Sequence, residues 1–114
     1  MTFTQYLEKL KNHPTEVSFE ETIALIDSNY NFTPNAFTNG TLENEVGQNN
    51  GSCKIFAFGK LNNLTKDETL ACFGKFYFEE VLNDPEGTGH QNIRNFMLHG
   101  WEGIRFKGEA LTAM

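Results

Sequence analysis

The first thirty residues contain two stretches with the apolar spacing of amphipathic helices. In the first stretch, which ends at the His13-Pro14 pair, apolar side chains recur every three or four residues at Phe3, Tyr6, Leu7 and Leu10. Because proline cannot continue a helix, this pattern predicts a short helix capped by Thr2 or Thr4. In the second stretch, Ser18 and Glu21 have the spacing of a capping box, which predicts a helix over residues 19–29.

The middle of the chain predicts a hairpin, a loop and a buried element. Asn39-Gly40 separates "AFT" from "TLE" and is typical of a type I′ turn between two short strands. The polar segment "NEVGQNNGS" follows as a loop. The next segment, "SCKIFAFGKL", is apolar nearly all round, which fits a buried strand or a buried helix. Since Ser52 is a good N-cap, we favour a helix over residues 53–62.

Two further capping boxes predict the helices of the C-terminal half. Thr65 and Glu68 precede a broad apolar face that continues to Asp84-Pro85, which predicts the central and longest helix. Thr88 and Gln91 predict a helix over residues 89–99, with Thr88 as its N-cap. The helical phase then assigns side chains to the core, to water and to the boundary between them. The core group is Ile93, Phe96 and Met97, the water group is Asn92, Asn95 and His99, and the boundary pair is His90 and Arg94.

These elements predict a mainly helical α+β fold. The segment "GIRFKG" alternates briefly and is expected to add a strand beside the hairpin. With 114 residues the chain suits one small domain, with about five helices and a small antiparallel sheet. Eleven phenylalanines predict a rigid core built largely from aromatic rings.

Charge and composition exclude several classes of function. Nine Lys and Arg against fifteen Asp and Glu give a net charge of −6, and the basic residues are dispersed. Binding of nucleic acid or of an anionic membrane needs clustered cations, so we expect neither partner. Without an apolar span or a secretory signal pattern, the chain is expected to be cytoplasmic. Cys53 and Cys72 are then expected to be buried thiols rather than a disulfide.

Candidate chemistry lies at two predicted helix starts. His90 and Arg94 share a helix face near the start of one helix, and Ser52, Cys53 and Lys54 lie at the start of another. Helix N-termini attract anions, so these five residues predict a site for a small anionic ligand if the two starts converge. His90 and His99 lie about 180° apart on one helix and cannot share a metal ion. We expect no metal site and no cofactor.

Each candidate residue also has an ordinary structural role. Cys53 with His90 would suit a thiolate nucleophile and its base, although an inert buried cysteine is more common. His90 and Arg94 can simply edge the core, and Ser52 can simply cap its helix. Trp101 can line a pocket or close the end of a helix. The sequence contains no complete catalytic motif, so catalytic residues remain unassigned.

Three segments carry a resemblance to a known family. "NGSCKIFAFGKL", "TLACFGKFYFEEVLNDPEGTGHQNIRNFMLHGW" and "GIRF" resemble the HopJ (HopPmaJ-like) type III effector protein family, and "FTPNAFTNG" extends the similarity over residues 32–106. The resemblance implies one HopJ-like domain over residues 1–114. It also implies that the protein can be an effector that a type III system delivers into host cells. The resemblance implies no particular reaction and no catalytic residue. We therefore expect a non-catalytic interaction protein with a protein partner. The alternative is a small cytosolic enzyme or anion binder that uses the candidate residues.

Overall fold

Residues 2–114 are described by a computed structural model of helices and short strands. The α-helices are α1 (Phe3–Asn12), α2 (Phe19–Asn29), α3 (Asn50–Leu61), α4 (Lys66–Ala71) and α5 (Gln91–His99). A π-helical segment spans Phe76–Val81, and 3₁₀ turns span Pro14–Glu16 and Gly100–Gly103. The strands are β1 (Tyr30–Phe32), β2 (Phe37–Asn39), β3 (Leu42–Asn44), β4 (Ile104–Phe106) and β5 (Leu111–Ala113). The predicted α+β, mainly helical fold class is confirmed.

The first two helices begin with capping boxes: Thr2, one of the two predicted caps of α1, forms a box with Gln5, and the predicted box at Ser18 and Glu21 is confirmed. The Thr2 hydroxyl accepts a hydrogen bond from the amide of Gln5 at 3.1 Å, and the Gln5 side chain accepts one from the Thr2 amide. Ser18 and Glu21 make the same reciprocal pair at the start of α2. Each box satisfies two amides that a helix end otherwise leaves without partners. Local sequence therefore determines where α1 and α2 start.

Two small antiparallel sheets join distant parts of the chain. In the first, β2 lies between β3 and β4, so the predicted hairpin and the predicted extra strand are confirmed. The turn is one residue later than predicted, because Asn39 pairs with Leu42 as part of β2. Gly40, with φ of 63°, therefore begins the turn. In the second sheet, which the sequence did not predict, β1 pairs with β5.

Helix α3 is the centre of the core. Cys53, Ile55, Phe56 and Phe58 are fully buried along it, so the helix is covered on all sides. The ring of Phe56 contacts the rings of Phe37, Phe73 and Phe96, with centroid distances of 4.9–6.1 Å. An element buried all round explains why the sequence pattern fitted both a strand and a helix.

The prediction that Ser52 caps α3 is wrong. The helix begins at Asn50, and the residue before it, Asn49, adopts a left-handed conformation with φ of 55° and ψ of 48°. Asparagine tolerates this conformation better than most residues. The Asn49 side chain donates to Asn44 Oδ1 at 2.7 Å and does not cap the helix. Ser52 consequently lies inside the first turn.

The predicted long central helix is also wrong. Helix α4 starts at the Thr65–Glu68 capping box, as expected, but ends at Ala71. Gly74 then takes a φ of 60°, and a Cβ atom there would lie 2.8 Å from the backbone nitrogen of Phe19. This close approach to the start of α2 breaks the helix, and the chain resumes as the π-helical segment. The longest helix is α3, with twelve residues.

Helix α5 does not start at Thr88. Its N-cap is His90, which has φ of 55° and ψ of 50° and makes no side-chain cap. The Gln91 side chain donates to the carbonyl of Thr88, so the predicted reciprocal box does not form. Gly87 and Gly89 give this loop the freedom to turn later than the Thr-x-x-Gln pattern indicates.

Candidate functional site

The starts of α3 and α5 line one open cleft of about 420 Å³. Its polar wall comes from both helix starts, with Asn49 and Ser52 on one side and His90, Gln91 and Asn92 on the other. Its apolar wall includes the rings of Phe19, Phe73 and Phe76. Phe73 and Phe76 of this wall lie on either side of Gly74, between the end of α4 and the start of the π-helical segment.

Both helices enter the cleft without a side-chain cap. Asn49 and His90 are each left-handed, and neither side chain accepts a hydrogen bond from its own helix. The amides of the first turn have no partner within an α-helix, and they give its N-terminus a partial positive charge. A left-handed residue before a helix also turns successive amides toward one concavity. The cleft wall is therefore rich in N–H groups, which suits a carboxylate or a phosphate.

A network of asparagines holds the two helix starts together. Asn92 is only 6% exposed, so the prediction that it points to water is wrong. Its amide group exchanges two hydrogen bonds with Asn44, at 3.0 and 3.1 Å. Asn49 donates to Asn44 as well, and Asn39 donates to the carbonyl of Asn92 at 2.7 Å. The network ties α3, α5 and the hairpin into one unit beneath the cleft.

One atom of this network lacks a partner. Asn39 is fully buried, and its Oδ1 is without a hydrogen bond among residues 2–114. A buried amide oxygen left in this way costs free energy. Sequence reasoning missed the network because asparagines in loops and at helix starts are usually exposed. Four asparagines near predicted turns were the only signal available.

His90 faces the cleft beside an aromatic ring and a carboxylate. Its ring lies 5.2 Å from that of Phe76, and its Nε2 lies 3.0 Å from Glu80 Oε1. The His90 side chain is 33% exposed. Glu80 belongs to the π-helical segment, so the unusual turn of that segment supplies the partner of His90. No hydrogen bond in the described chain joins His90 to Ser52.

Cys53 lies beneath the cleft rather than in its wall. The thiol is fully buried and is directed toward the carbonyl of Asn35, at 3.9 Å. Burial raises the pKa of Cys53, so the thiolate is disfavoured. A nucleophile needs that anion and needs access to a substrate. Cys53 therefore does not line the cleft that His90 lines, and its neutral thiol is favoured.

The two candidate cations are paired elsewhere. Lys54 Nζ lies 2.9 Å from Asp27 Oδ1 and 5.0 Å from the centre of the Phe32 ring. Arg94 donates to the carbonyls of Asp84 and Gly89, and so fastens the loop that precedes α5. Neither residue lines the cleft. Any anion bound there would rely on N–H groups and on His90.

Trp101 lines a different cavity, of about 310 Å³, together with Gly59, Leu64 and Ile104. Its Nε1 donates to the carbonyl of Leu64 at 3.0 Å, and its ring stands edge-on to Phe96. Trp101 thus packs the end of α5 against α3. Of the six sequence candidates, only Ser52 and His90 share a cavity.

A second surface feature lies on the opposite side of α5. The end of the π-helical segment, the loop that follows it and α5 form a groove of about 360 Å³, which we call the π–α5 groove. Its apolar lining includes Val81, Leu82, Pro85, Met97 and Leu98. Leu98 is 77% exposed and Leu82 is 43% exposed. Sequence analysis assigned neither leucine to a surface site, although Leu98 falls on the polar side of the predicted helix.

No cluster of three or more His, Cys, Asp or Glu side chains suited to a metal ion occurs within residues 2–114. Over the same residues, no helix has the length and apolar character needed to cross a membrane.

Comparison with known proteins identifies the family. No match was found among the curated proteins. A crystal structure described as that of unknown function protein VPA0580 is 59% identical to this chain, with a TM-score of 0.98. The similarity covers 100% of this chain and 95% of that one. The family model for the HopJ type III effector protein matches residues 3–111. The chain therefore belongs to the HopJ type III effector family.

Proposed function

We propose that this protein acts by binding another protein and carries out no catalysis of its own. The observation that supports this function is the π–α5 groove, where two exposed leucines flank an apolar floor. Contiguous exposed apolar surface is typical of sites where proteins bind partners. Membership of the HopJ type III effector family fits the same function, since the family suggests targets among the proteins of a host cell.

The state of the candidate nucleophile also supports a binding role. Cys53 is buried and favours its neutral form, and Ser52 is not hydrogen-bonded to His90. A working nucleophile would need its base within hydrogen-bonding reach. We propose that the protein is made in the cytoplasm and is then a candidate for type III secretion, as the family suggests.

Affinity capture with matched variants tests the binding function. Wild-type protein, a Leu82→Ser/Leu98→Ser variant and a Val46→Ser control would each be used as bait at about 10 μM in lysates of producer and host cells. Val46 is 66% exposed and lies outside the groove, so it controls for loss of an exposed apolar side chain. We expect a partner that binds wild type and the control but not the groove variant.

Purified partner must then reproduce the same ranking in a direct titration. Failure to find any protein that binds wild type would refute the binding function. If a partner bound the groove variant and the wild type with equal affinity, the binding surface would lie elsewhere on the protein.

The second candidate function is recognition of a small anion by Ser52 and His90. The observation in its favour is the pair of uncapped helix starts in one cleft. Phosphate titration followed by amide NMR shifts tests it. We expect saturable shifts at Gly51, Ser52 and Asn92, weakened in a Ser52→Pro variant, which removes one donor from the first turn. Absence of shifts at about 10 mM phosphate would exclude this function.

A further inference from the structure

The two small sheets are parts of one antiparallel ribbon. Residues 30–39 run against residues 104–113 in a single register that continues through both sheets. In the gap between the sheets, the amide of Thr33 donates to the carbonyl of Ala110 at 2.8 Å, so the pairing continues there. Strand β3 covers the outer side of β2, but no strand within residues 2–114 pairs with the outer side of β4 or β5. The second segment of the ribbon is therefore a free edge.

The hydrogen bonds of the ribbon show which backbone groups of β5 lie on this free edge. The carbonyl of Ala110 and the amide of Met114 are both hydrogen-bonded to the first segment of the ribbon. In an antiparallel pair, the backbone groups of alternate residues face the partner strand, and those of the residues between them face away. The groups of Ala110, Thr112 and Met114 therefore face β1. The N–H and C=O groups of Leu111 and Ala113 face the free edge.

A groove of about 490 Å³, which we call the edge groove, runs along this edge. Phe106 and residues 108–113 form one side, and Ala57, Lys60 and Leu61 of α3 form the other. No residue of β1 or β2 belongs to the lining, so the groove lies on the side of β5 away from its partner strand. The Leu61 side chain is 55% exposed. The edge groove therefore combines an apolar wall with backbone groups that no other strand engages.

We propose that the edge groove binds an extended peptide segment of a partner protein, which adds a strand to β5. The backbone of the segment exchanges hydrogen bonds with Leu111 and Ala113, and its alternate side chains pack on Ala57 and Leu61. In strand addition, main-chain hydrogen bonds supply affinity and side-chain contacts supply selectivity. The edge groove shares no residue with the π–α5 groove, so this site goes beyond the proposed binding function.

The backbone groups determine the kind of occupant. A helix satisfies its own backbone groups and would leave those of Leu111 and Ala113 without partners. An extended segment pairs with them and continues the sheet of β1 and β5 outward. The lining carries one cation, Lys60, and one carboxylate, Glu109, and neither takes part in an ion pair within the described chain. The charges of the lining balance, so hydrogen bonds and apolar contacts select the occupant.

A second copy of this chain fits the edge groove less well. Its own β5 lies beside an identical concave groove, and two concave surfaces related by a two-fold axis do not fill each other. A contact between two three-residue strands is also small beside the roughly 1,200–2,000 Å² that stable interfaces bury. A single extended segment can enter the groove and leave its other face in water.

Synthetic peptides test the proposed occupant. The probe is a fluorescent, amidated peptide with about five alternating valines and threonines between Ser-Gly flanks, and anisotropy measures its binding to the full chain. Two control peptides carry N-methyl groups, one on its valine nitrogens and the other on its threonine nitrogens. Only alternate amides of an added strand face β5. We therefore expect one control to bind at least about tenfold more weakly than the probe, and the other within about twofold of it.

Hydrogen exchange followed by NMR locates the bound peptide. In the free protein, the amides of Leu111 and Ala113 should exchange at least about tenfold faster than that of Thr112, which is paired with β1. Saturation with the probe should slow exchange at Leu111 and Ala113 to a similar degree. Exchange at Thr112 should stay unchanged.

Variants connect the binding to the edge. Ala113→Pro removes the N–H group that faces the groove, while the bonds to β1 come from Thr112 and Met114 and are kept. It should weaken binding of the probe at least about tenfold. Ala113→Ser keeps the amide and should bind within about twofold of wild type. Leu61→Ser should weaken binding about fivefold, since it removes the exposed apolar wall. Circular dichroism melts show whether each variant is folded, and the methylated peptides need no variant.

Several results would overturn the proposal. Absence of binding by wild type at about 1 mM probe, equal weakening in both methylated peptides, or equal binding by folded Ala113→Pro and Ala113→Ser would each do so. Exchange that slows only in the π–α5 groove would refute the edge groove and leave the proposed binding function in place. If Leu111 and Ala113 became protected in the free protein as its concentration rose, the edge would belong to a second copy.

Discussion

Asn49 and His90 share one backbone conformation, with φ of 55° at both residues and ψ of 48° and 50°. They precede the two helices whose starts line the same cleft. A left-handed conformation costs a non-glycine residue roughly 1–2 kcal/mol, so the surrounding structure must hold both residues in place. Asn44 and Asn92 do this for one helix start, and Phe76 with Glu80 does it for the other.

The asparagine network should therefore contribute to stability. We expect Asn92→Ala to lower the free energy of unfolding by about 2–3 kcal/mol, because the Nδ2 group of Asn44 is left buried without its acceptor. Asn95→Ala is the matched control on the same helix and should change stability by no more than about 0.5 kcal/mol. Urea denaturation measures both. Equal effects would mean that the network is not closed in solution.

The break after α4 depends on Gly74. Gly74→Ala should destabilise the protein by about 2–5 kcal/mol, since its Cβ atom would meet the backbone of Ser18 and Phe19 in addition to the strain of a positive φ. Gly47→Ala has the same type of strain, with φ of 84°, but no atom within 4 Å of the added Cβ. It should cost only about 1–2 kcal/mol. Thermal denaturation measures the loss of stability in each variant. Equal losses in Gly74→Ala and Gly47→Ala would contradict the close approach of Gly74 to the backbone of Ser18 and Phe19.

The difference between a real cap and an apparent one can be measured. Ser18→Ala should cost about 0.5–2 kcal/mol, because it removes the acceptor of the Glu21 amide. Thr88→Ala should cost no more than about 0.5 kcal/mol, since Gln91 bonds the Thr88 carbonyl rather than its hydroxyl. Urea denaturation of the two variants decides the point. Equal losses would show that α5 starts at Thr88 in solution.

Much of the fold could be predicted from local sequence. Helices α1, α2 and α4 each start at a capping box, a pattern that spans only four residues, and all three boxes form. The start of α3 depends on the contact of Asn49 with Asn44, which is itself held by Asn92 of α5. The start of α5 depends on the contact of His90 with Phe76 in the π-helical segment. Both starts therefore need residues from other parts of the fold. The pairing of β1 with β5 joins residues 30–32 to residues 111–113, and three-residue strands carry too little pattern to indicate a partner.

The candidate site shows the same division. Helix starts near Ser52 and near His90 could be expected from the pattern, although each is displaced by a few residues, and both side chains line the cleft. The positions of Lys54 and Arg94 depend on which carboxylates the fold brings near them, namely Asp27 and Asp84. Long charged side chains can reach carboxylates on several neighbouring elements, so sequence spacing alone does not determine their partners.

Cys72 should make stability depend on alkaline pH. Its thiol is fully buried and accepts a hydrogen bond from the Tyr6 hydroxyl, at 3.4 Å. Burial raises the pKa of Cys72 from its ordinary value of 9.0 to about 12, despite the opposing effect of the Tyr6 hydrogen bond. Between these values the unfolded chain loses the thiol proton while the folded chain keeps it. Stability is therefore fully present below about pH 9 and falls as the pH rises toward about 12.

A Cys72→Ala variant isolates this contribution because alanine has no proton to lose. The difference in unfolding free energy between wild type and Cys72→Ala should shrink by about 1.4 kcal/mol from pH 8 to pH 10, which is the cost of one proton over one pH unit. Tyr6, whose pKa burial also raises, is present in both proteins, so its own ionisation largely cancels in the difference. Urea denaturation at the two pH values measures it. A difference that stayed constant would mean that the folded protein exposes Cys72 enough for its thiol to ionise at its ordinary pKa.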